Sequence, residues 1–418
     1  MTSKNILYLL VIIITIPSHV FTMEQPPVIQ TKNCEFMTFP QIITQLLGAW
    51  NYRETTLNVL PIELIVHILE SIKQQFESNS QSLLNAAKVG DIDNVLKLLK
   101  EPYVFINTKD TEGKTPLIYA VYNAVYNPEK NNSIIEALLN ACADPNIQDN
   151  DGNTALAIAT ENGKIDIVKV LINKPYININ TKNIKGETPL ISAVYAAAYN
   201  PEEDNSIIEA LLNANADPNV EDNNGNTPVS IATAFGKIDI LKMLIAANAD
   251  VNTRHKLGTP LTIAERFNHL GLVEILLDAK ADPNMLENYN TKDTPLLIAA
   301  KSNNPDLVEK LLNAKADPNI ANVDGDTPLI VAVTKSNLEM VKMLLNNGAN
   351  VNSQNKELQT ALMWAIRINS PAIVDLLLKA EADLNIQDNM GNTALDFARH
   401  LKRKEIIKLL DQAKQASQ

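Results

Sequence analysis

From Ser82 to the C-terminus, two kinds of apolar cluster alternate along the chain. Residues 322–354 show the pattern. A short apolar run, Leu329-Ile330-Val331-Ala332, follows Thr327-Pro328, and a second cluster places Met340, Val341, Leu344 and Leu345 at i, i+1, i+4 and i+5. The second spacing is the stripe of a helix with one buried face. The first cluster predicts a helix as well, because Thr327 suits an N-cap and Pro328 suits the first helical position, where no amide donor is needed. Between the clusters lie polar segments with turn chemistry, such as Asp324-Gly325 and Ala349-Asn350-Val351-Asn352. The pattern therefore predicts pairs of short antiparallel helices joined by polar turns.

The pair repeats. Thr-Pro-Leu or a close variant stands at Thr115, Thr154, Thr188, Thr227, Thr259, Thr294, Thr327, Thr360 and Thr393, with spacings of 39, 34, 39, 32, 35, 33, 33 and 33 residues. A period near 33 predicts a stacked solenoid, since one thin helix pair cannot bury its own apolar faces and must lie against its neighbours. Ser82 to Asn107 lacks the tripeptide but keeps Leu83-Leu84-Asn85-Ala86-Ala87, Gly90, Val95, Leu98 and Leu99, and reads as a capping first repeat. The last repeat surrounds Ile406, Ile407, Leu409 and Leu410 with Arg399, Lys402, Arg403, Lys404 and Glu405, a polar face suited to the other cap. Ten repeats result.

These residues resemble the ankyrin repeat, over about 340 of the 418 residues. The resemblance implies an all-α solenoid with β-turn fingers, acting by protein binding and not as an enzyme. Two departures from the family bear on stability. Where the family carries His after Thr-Pro-Leu, this chain has Ile118, Ala157, Ile191, Ser230, Thr262, Leu297, Ile330, Met363 and Asp396, so the His-mediated bonds between adjacent loops are expected to be absent. Where the family prefers Gly at the end of the second helix, only Gly348 conforms, and Cys142, Asn215, Asn248, Lys280, Lys315 and Glu381 replace it. A left-handed backbone at Lys, Glu or Cys should cost roughly 1 kcal/mol each.

A duplication lies inside the array. Residues 113–173 align with 186–246 with 43 identities in 61 positions, too many for ordinary repeat likeness, so a two-repeat block was copied. Each copy carries six extra residues between its helices, in Val121-Tyr122-Asn123-Ala124-Val125-Tyr126-Asn127-Pro128-Glu129 and in Val194-Tyr195-Ala196-Ala197-Ala198-Tyr199-Asn200-Pro201-Glu202. Tyr122 and Tyr126 share a helix face, as do Tyr195 and Tyr199. The extension is expected to lengthen the first helix until Pro128 or Pro201 stops it, leaving a notch between two tyrosine-bearing projections. Two readings stand open: a partner-binding edge, for which Tyr is well suited, or packing of each tyrosine on its own second helix.

The N-terminal 80 residues are not repetitive. Lys4 followed by the apolar run Ile6 to Ile16 predicts a secretory signal peptide over residues 1–22, with an uncleaved anchor as the alternative. Export or secretion follows, with membrane contact only through residues 1–22 if they remain. Ankyrin arrays behind a signal peptide resemble effector proteins of bacteria that live inside eukaryotic cells, which implies delivery to a host cell and a host protein as partner. Residues 23–80 read as a helical segment. Within it, the helix predicted over residues 59–72 resembles the opening of an F-box at Leu60, Pro61, Glu63, Leu64, Ile68 and Leu69, which would imply docking on the adaptor of a cullin ubiquitin ligase. The same apolar residues suit an N-terminal cap on the array, which spans residues 81–415.

Composition narrows the partner. A formal net charge of −12 disfavours nucleic acid, which needs clustered Lys and Arg. Acids gather at predicted turn tips, including Asp149, Asp151, Asp222, Asp324 and Asp388, so a charge-steered protein partner is expected to be basic on its contact face. The array is expected to be a monomer. Cys34 and Cys142 are the only cysteines, separated by a linker, the helical prefix and a full repeat, so no disulfide is expected. The histidines, His19, His67, His255, His269 and His400, are scattered, with no metal-site spacing and no paired nucleophile. Asp149-Asn150-Asp151-Gly152-Asn153 looks like the start of a calcium loop, but it recurs at Asp222 and Asp388 as a repeat turn and lacks the distal Glu. No metal, cofactor or catalytic residue is predicted.

Overall fold

The computed structural model describes residues 28–30, 36–38, 62–101, 104–126, 128–200, 205–287 and 290–416. Among them a short antiparallel pair, β1 (Val28–Gln30) and β2 (Phe36–Thr38), comes first, with Val28 opposite Thr38. The sequence reading gave no strand there. Twenty helices follow. They form two compact units, residues 1–193 with 213–215, and residues 194–212 with 216–418, and each is described by itself.

In the first unit, α1 (Ile62–Val89) and α2 (Ile92–Leu98) make the first repeat. α1 passes unbroken through residue 81, where the sequence reading sets the junction between prefix and array. Phe76, Leu83, Leu84 and Ala87 of α1 are buried, so part of the prefix shares the core of the first repeat. Leu60 and Pro61 lie outside the described residues, while Glu63, Leu64, Ile68 and Leu69 fall on α1. Next come α3 (Pro116–Tyr126) with α4 (Pro128–Asn140), and α5 (Ala155–Glu161) with α6 (Ile165–Ile172). α7 (Pro189–Tyr199) and α8 (Ser206–Asn213) come next in the chain, and residues 194–199 and 206–212 of them belong to the second unit.

The second unit continues with α9 (Pro228–Ala234) and α10 (Ile238–Ala246), α11 (Pro260–Arg266) and α12 (Leu270–Asp278), α13 (Pro295–Lys301) and α14 (Pro305–Asn313). It ends with α15 (Pro328–Thr334) and α16 (Leu338–Asn346), α17 (Ala361–Arg367) and α18 (Pro371–Lys379), α19 (Ala394–His400) and α20 (Lys404–Ala416).

The repeated Thr has the role its chemistry predicts. The Thr327 hydroxyl accepts the N–H of Ile330, and the same bond recurs at Thr154, Thr227, Thr259, Thr294, Thr360 and Thr393. α3 and α7 are each eleven residues long, against seven for the helices that follow the other repeat threonines, so the duplicated extension does lengthen the first helix. Pro128 does more than stop it, because it opens α4, which takes up the rest of the insertion.

Helix ends keep the left-handed backbone despite the missing glycines. The φ angles are 66° at Cys142, 69° at Lys280, 71° at Lys315 and 64° at Glu381, beside 86° at Gly348. The loops are also joined without histidine. In the first unit the Asn146 side chain accepts the N–H of Asn178 at 2.7 Å and donates to the Tyr176 carbonyl at 2.8 Å. In the second, Asn219, Asn252, Asn284, Asn319 and Asn352 accept the N–H of Asp250, Asp282, Asp317, Asn350 and Asp383 at 2.7–2.8 Å. An asparagine ladder thus does the work expected of the absent histidines. Cys142 takes part in a disulfide, which corrects the expectation of none. Separation along the chain does not set distance in a folded array, and the partner cysteine lies outside the described residues.

Candidate functional site

The predicted turn-tip acids divide in two. Asp149, Asp222 and Asp388 are buried, not presented. Each clasps its own turn: Asp149 Oδ1 accepts the N–H of Asp151 at 3.0 Å and of Asn153 at 2.8 Å, and Asp222 and Asp388 do the same in their turns. A short acceptor at the first turn position is what these loops need, which is why Asn322 and Asn355 serve equally well. Burial alone would raise Asp222, but the side chain and backbone of Asn226, the Asn224 N–H and the Tyr195 hydroxyl together hold its carboxyl below the ordinary range. Asp151 and Asp324 are exposed and remain available to a partner. The sequence of Asp149 to Asn153 is accounted for by the turn, and no cluster able to hold a metal occurs among the described residues.

The tyrosines divide as well. In the first unit the Tyr119 hydroxyl donates to Asp110 at 2.5 Å, and burial followed by this bond pushes its pKa up to about 12. Lys114 Nζ lies 4.9 Å from the centre of the Tyr122 ring, so that ring is engaged internally. Tyr126, one turn further on, is 83% exposed. In the second unit Tyr195 bonds Asp222 Oδ2 at 3.1 Å and receives the Asn226 amide at 2.9 Å, while Tyr199 is 72% exposed. The two readings of the tyrosines therefore each hold for half of them: Tyr122 and Tyr195 pack, and Tyr126 and Tyr199 project.

Tyr199 does not stand alone. Its ring lies 6.4 Å from Tyr195 in a near-parallel arrangement and 5.0 Å from Phe235 edge to face. Phe235 and Phe267, both exposed, occupy the same position in successive repeats, the helix-ending residue after α9 and α11. Phe267 stacks near His269, whose ring nitrogen contacts the Ala234 carbonyl at 3.3 Å. The sequence reading missed both phenylalanines. Each is eight residues beyond its repeat Thr, a register that marks the exposed end of the first helix.

These features, short paired helices with Thr-Pro caps, left-handed helix ends and clasped polar turns, define a repeat solenoid. A family profile described as ankyrin repeats (3 copies) matches residues 122–200, 194–287 and 280–355, and one described as ankyrin repeats (many copies) matches 344–398. The chain belongs to the ankyrin-repeat family. It is similar to the ankyrin repeat protein YahD of Escherichia coli, at 35% identity over 199 residues, covering 40% of this chain and 95% of that protein. An ankyrin repeat protein of Rickettsia felis is 32% identical over 145 residues, covering 34% of this chain and 44% of the relative. Neurogenic locus notch homolog protein 1 of Danio rerio is 31% identical over 147 residues, 35% of this chain and only 6% of its own length. The chain thus spans less than half of the last two proteins. A crystal structure of an ankyrin repeat domain from Acinetobacter baumannii aligns at 34% identity with a TM-score of 0.43, covering 45% of this chain and 97% of that one.

Proposed function

We propose that this chain is an exported scaffold that binds a protein partner through the exposed ends of its first helices, above all the extended α3 and α7. The carrying observation is the exposure of Tyr126 and Tyr199 at helix ends while the tyrosines one turn earlier are engaged internally. Large aromatic side chains held on rigid elements are the residues most often found as interface anchors. A basic contact face on the partner is supported by the exposed Asp151 and Asp324 and by the net charge of −12.

Export rests on the signal-like residues 1–22, and the ankyrin resemblance to proteins of intracellular bacteria supports a host protein as the partner. The adaptor-docking alternative rests on Leu60, Pro61, Glu63, Leu64, Ile68 and Leu69. The continuity of α1 from Ile62 into the first repeat supports a cap there instead. Affinity capture from eukaryotic-cell lysate on residues 24–418, with a Tyr126→Ala, Tyr199→Ala variant in parallel, tests the reading. A partner held by the native chain and lost from the folded variant supports it, and one held equally by both moves the contact elsewhere.

A further inference from the structure

The duplication presents one turn twice, and one carboxylate oxygen is satisfied differently in the two copies. In the second, Asp222 Oδ2 is filled from within, by the Tyr195 hydroxyl at 3.1 Å and the Asn226 amide at 2.8 Å. In the first, Asp149 is equally buried and holds its turn in the same way, yet its Oδ2 has no hydrogen-bond partner. Tyr122 and Asn153 stand where Tyr195 and Asn226 stand in the other copy.

The difference traces to the residue after the turn glycine, Lys114 in the first copy and Glu187 in the second. Lys114 Nζ lies over the Tyr122 ring, an attraction Glu187 cannot provide; Glu187 instead accepts from Asn183 at 3.1 Å. A buried carboxylate oxygen without a protein donor is costly, so a donor brought by a partner would be favoured there. The surroundings select its charge. Burial, then the carboxylates of Asp149, Glu161 and Asp151, raise the pKa of the Tyr122 hydroxyl against the opposing pull of Lys114. That lysine is already paired with Glu112 at 2.6 Å. Asp151 and Glu161 are exposed and Tyr122 is partly exposed, while Asp149 Oδ2 itself is closed to solvent, so an entering side chain reaches that oxygen only as its cover shifts.

We propose that Asp149 Oδ2, with Tyr122, Asp151 and Glu161, seats one cationic side chain of the protein partner, an arginine by preference. A guanidinium supplies a planar set of donors for the carboxylate and a face for the tyrosine ring. The second copy, already filled, offers no such seat. The proposal rests on the protein-binding reading above.

The test is a titration of the full chain with N-acetyl-arginine amide and, as its neutral isostere, N-acetyl-citrulline amide, at constant ionic strength. The signals followed are the backbone amides of Asp151 and Asn153. Saturable shifts with arginine amide, at least tenfold weaker with citrulline amide and with Asp149→Asn, are expected. That variant keeps the turn, because Asn322 and Asn355 hold theirs with the same oxygen. A second variant, Lys114→Glu, separates a seat from plain charge attraction. It frees Tyr122 to close on Asp149 and should abolish the response, whereas simple attraction to acids would strengthen it. Equal response to both probes, an undiminished response in Asp149→Asn, or a stronger one in Lys114→Glu overturns the seat. Capture of a partner equally well by Asp149→Asn overturns the seat and leaves protein binding standing.

Discussion

The side-chain oxygen of Asn319 accepts the backbone N–H of Asn350, one repeat further along, at 2.7 Å, while its amide donates to the Gly348 carbonyl at 3.1 Å. One side chain thus satisfies a donor and an acceptor of the next loop, as Asn146 and Asn252 also do, while Asn219, Asn284 and Asn352 accept in the same way. Repeat stability is roughly a sum of units and interfaces, so each rung should be separately measurable.

Asn319→Ala removes both bonds and should lower stability in urea denaturation by about 1–2 kcal/mol. Asn319→Asp keeps the acceptor and should recover part of that loss. Equal stability of the native chain and Asn319→Ala would remove the ladder from the account of how the loops are held.

Left-handed helix ends give predictions of opposite sign at equivalent positions. Lys315 holds φ at 71°, so Lys315→Gly should stabilise the chain by about 0.5–1 kcal/mol. Gly348 holds φ at 86°, and a Cβ there would meet nothing within 4 Å, so Gly348→Ala should cost about 1 kcal/mol from the backbone alone. Urea denaturation of the two variants checks the pair; changes of the same sign would contradict it.

Glu265 is buried and neither carboxylate oxygen has a hydrogen-bond partner. Burial pushes its pKa well above the ordinary glutamate value. Below the unfolded value, about 4.3, the group is protonated in both states and adds no pH dependence. As pH rises above it, the unfolded chain ionises first, so folding must take up a proton and stability falls until the folded pKa is reached. Glu265→Gln cannot ionise. Its stability relative to the native chain should therefore grow between pH 4.5 and 7.5 in denaturant titrations, and a constant difference would mean that Glu265 is solvated or paired.

Much of this was legible in the residues because repetition amplifies weak signals. Thr327-Pro328 is a modest helix start taken once, yet nine such Thr starts spaced 32 to 39 residues apart leave a single architecture, and the longer α3 and α7 follow from the inserted residues. The site was less legible. Asp149 and Asp324 both sit in turns, but only the first position of the turn folds its carboxylate back onto the backbone. Asp149 is therefore buried and Asp324 exposed. Tyr122 and Tyr126 share a helix face, and what separates them is Lys114, which reaches the first and not the second. Such differences depend on neighbours brought together by folding.

The most direct measurement is the affinity of the captured partner for the chain with Tyr126→Ala and Tyr199→Ala. Calorimetry should show a loss of at least about 2 kcal/mol, as truncation of anchoring aromatic residues commonly gives. Thermal melts should stay close to native, because both rings are largely exposed. Tyr→Phe at the same two positions keeps the rings and separates ring contact from hydroxyl bonding. Unchanged affinity in the folded alanine variant would contradict binding through the extended helices and transfer the contact to the exposed acids Asp151 and Asp324.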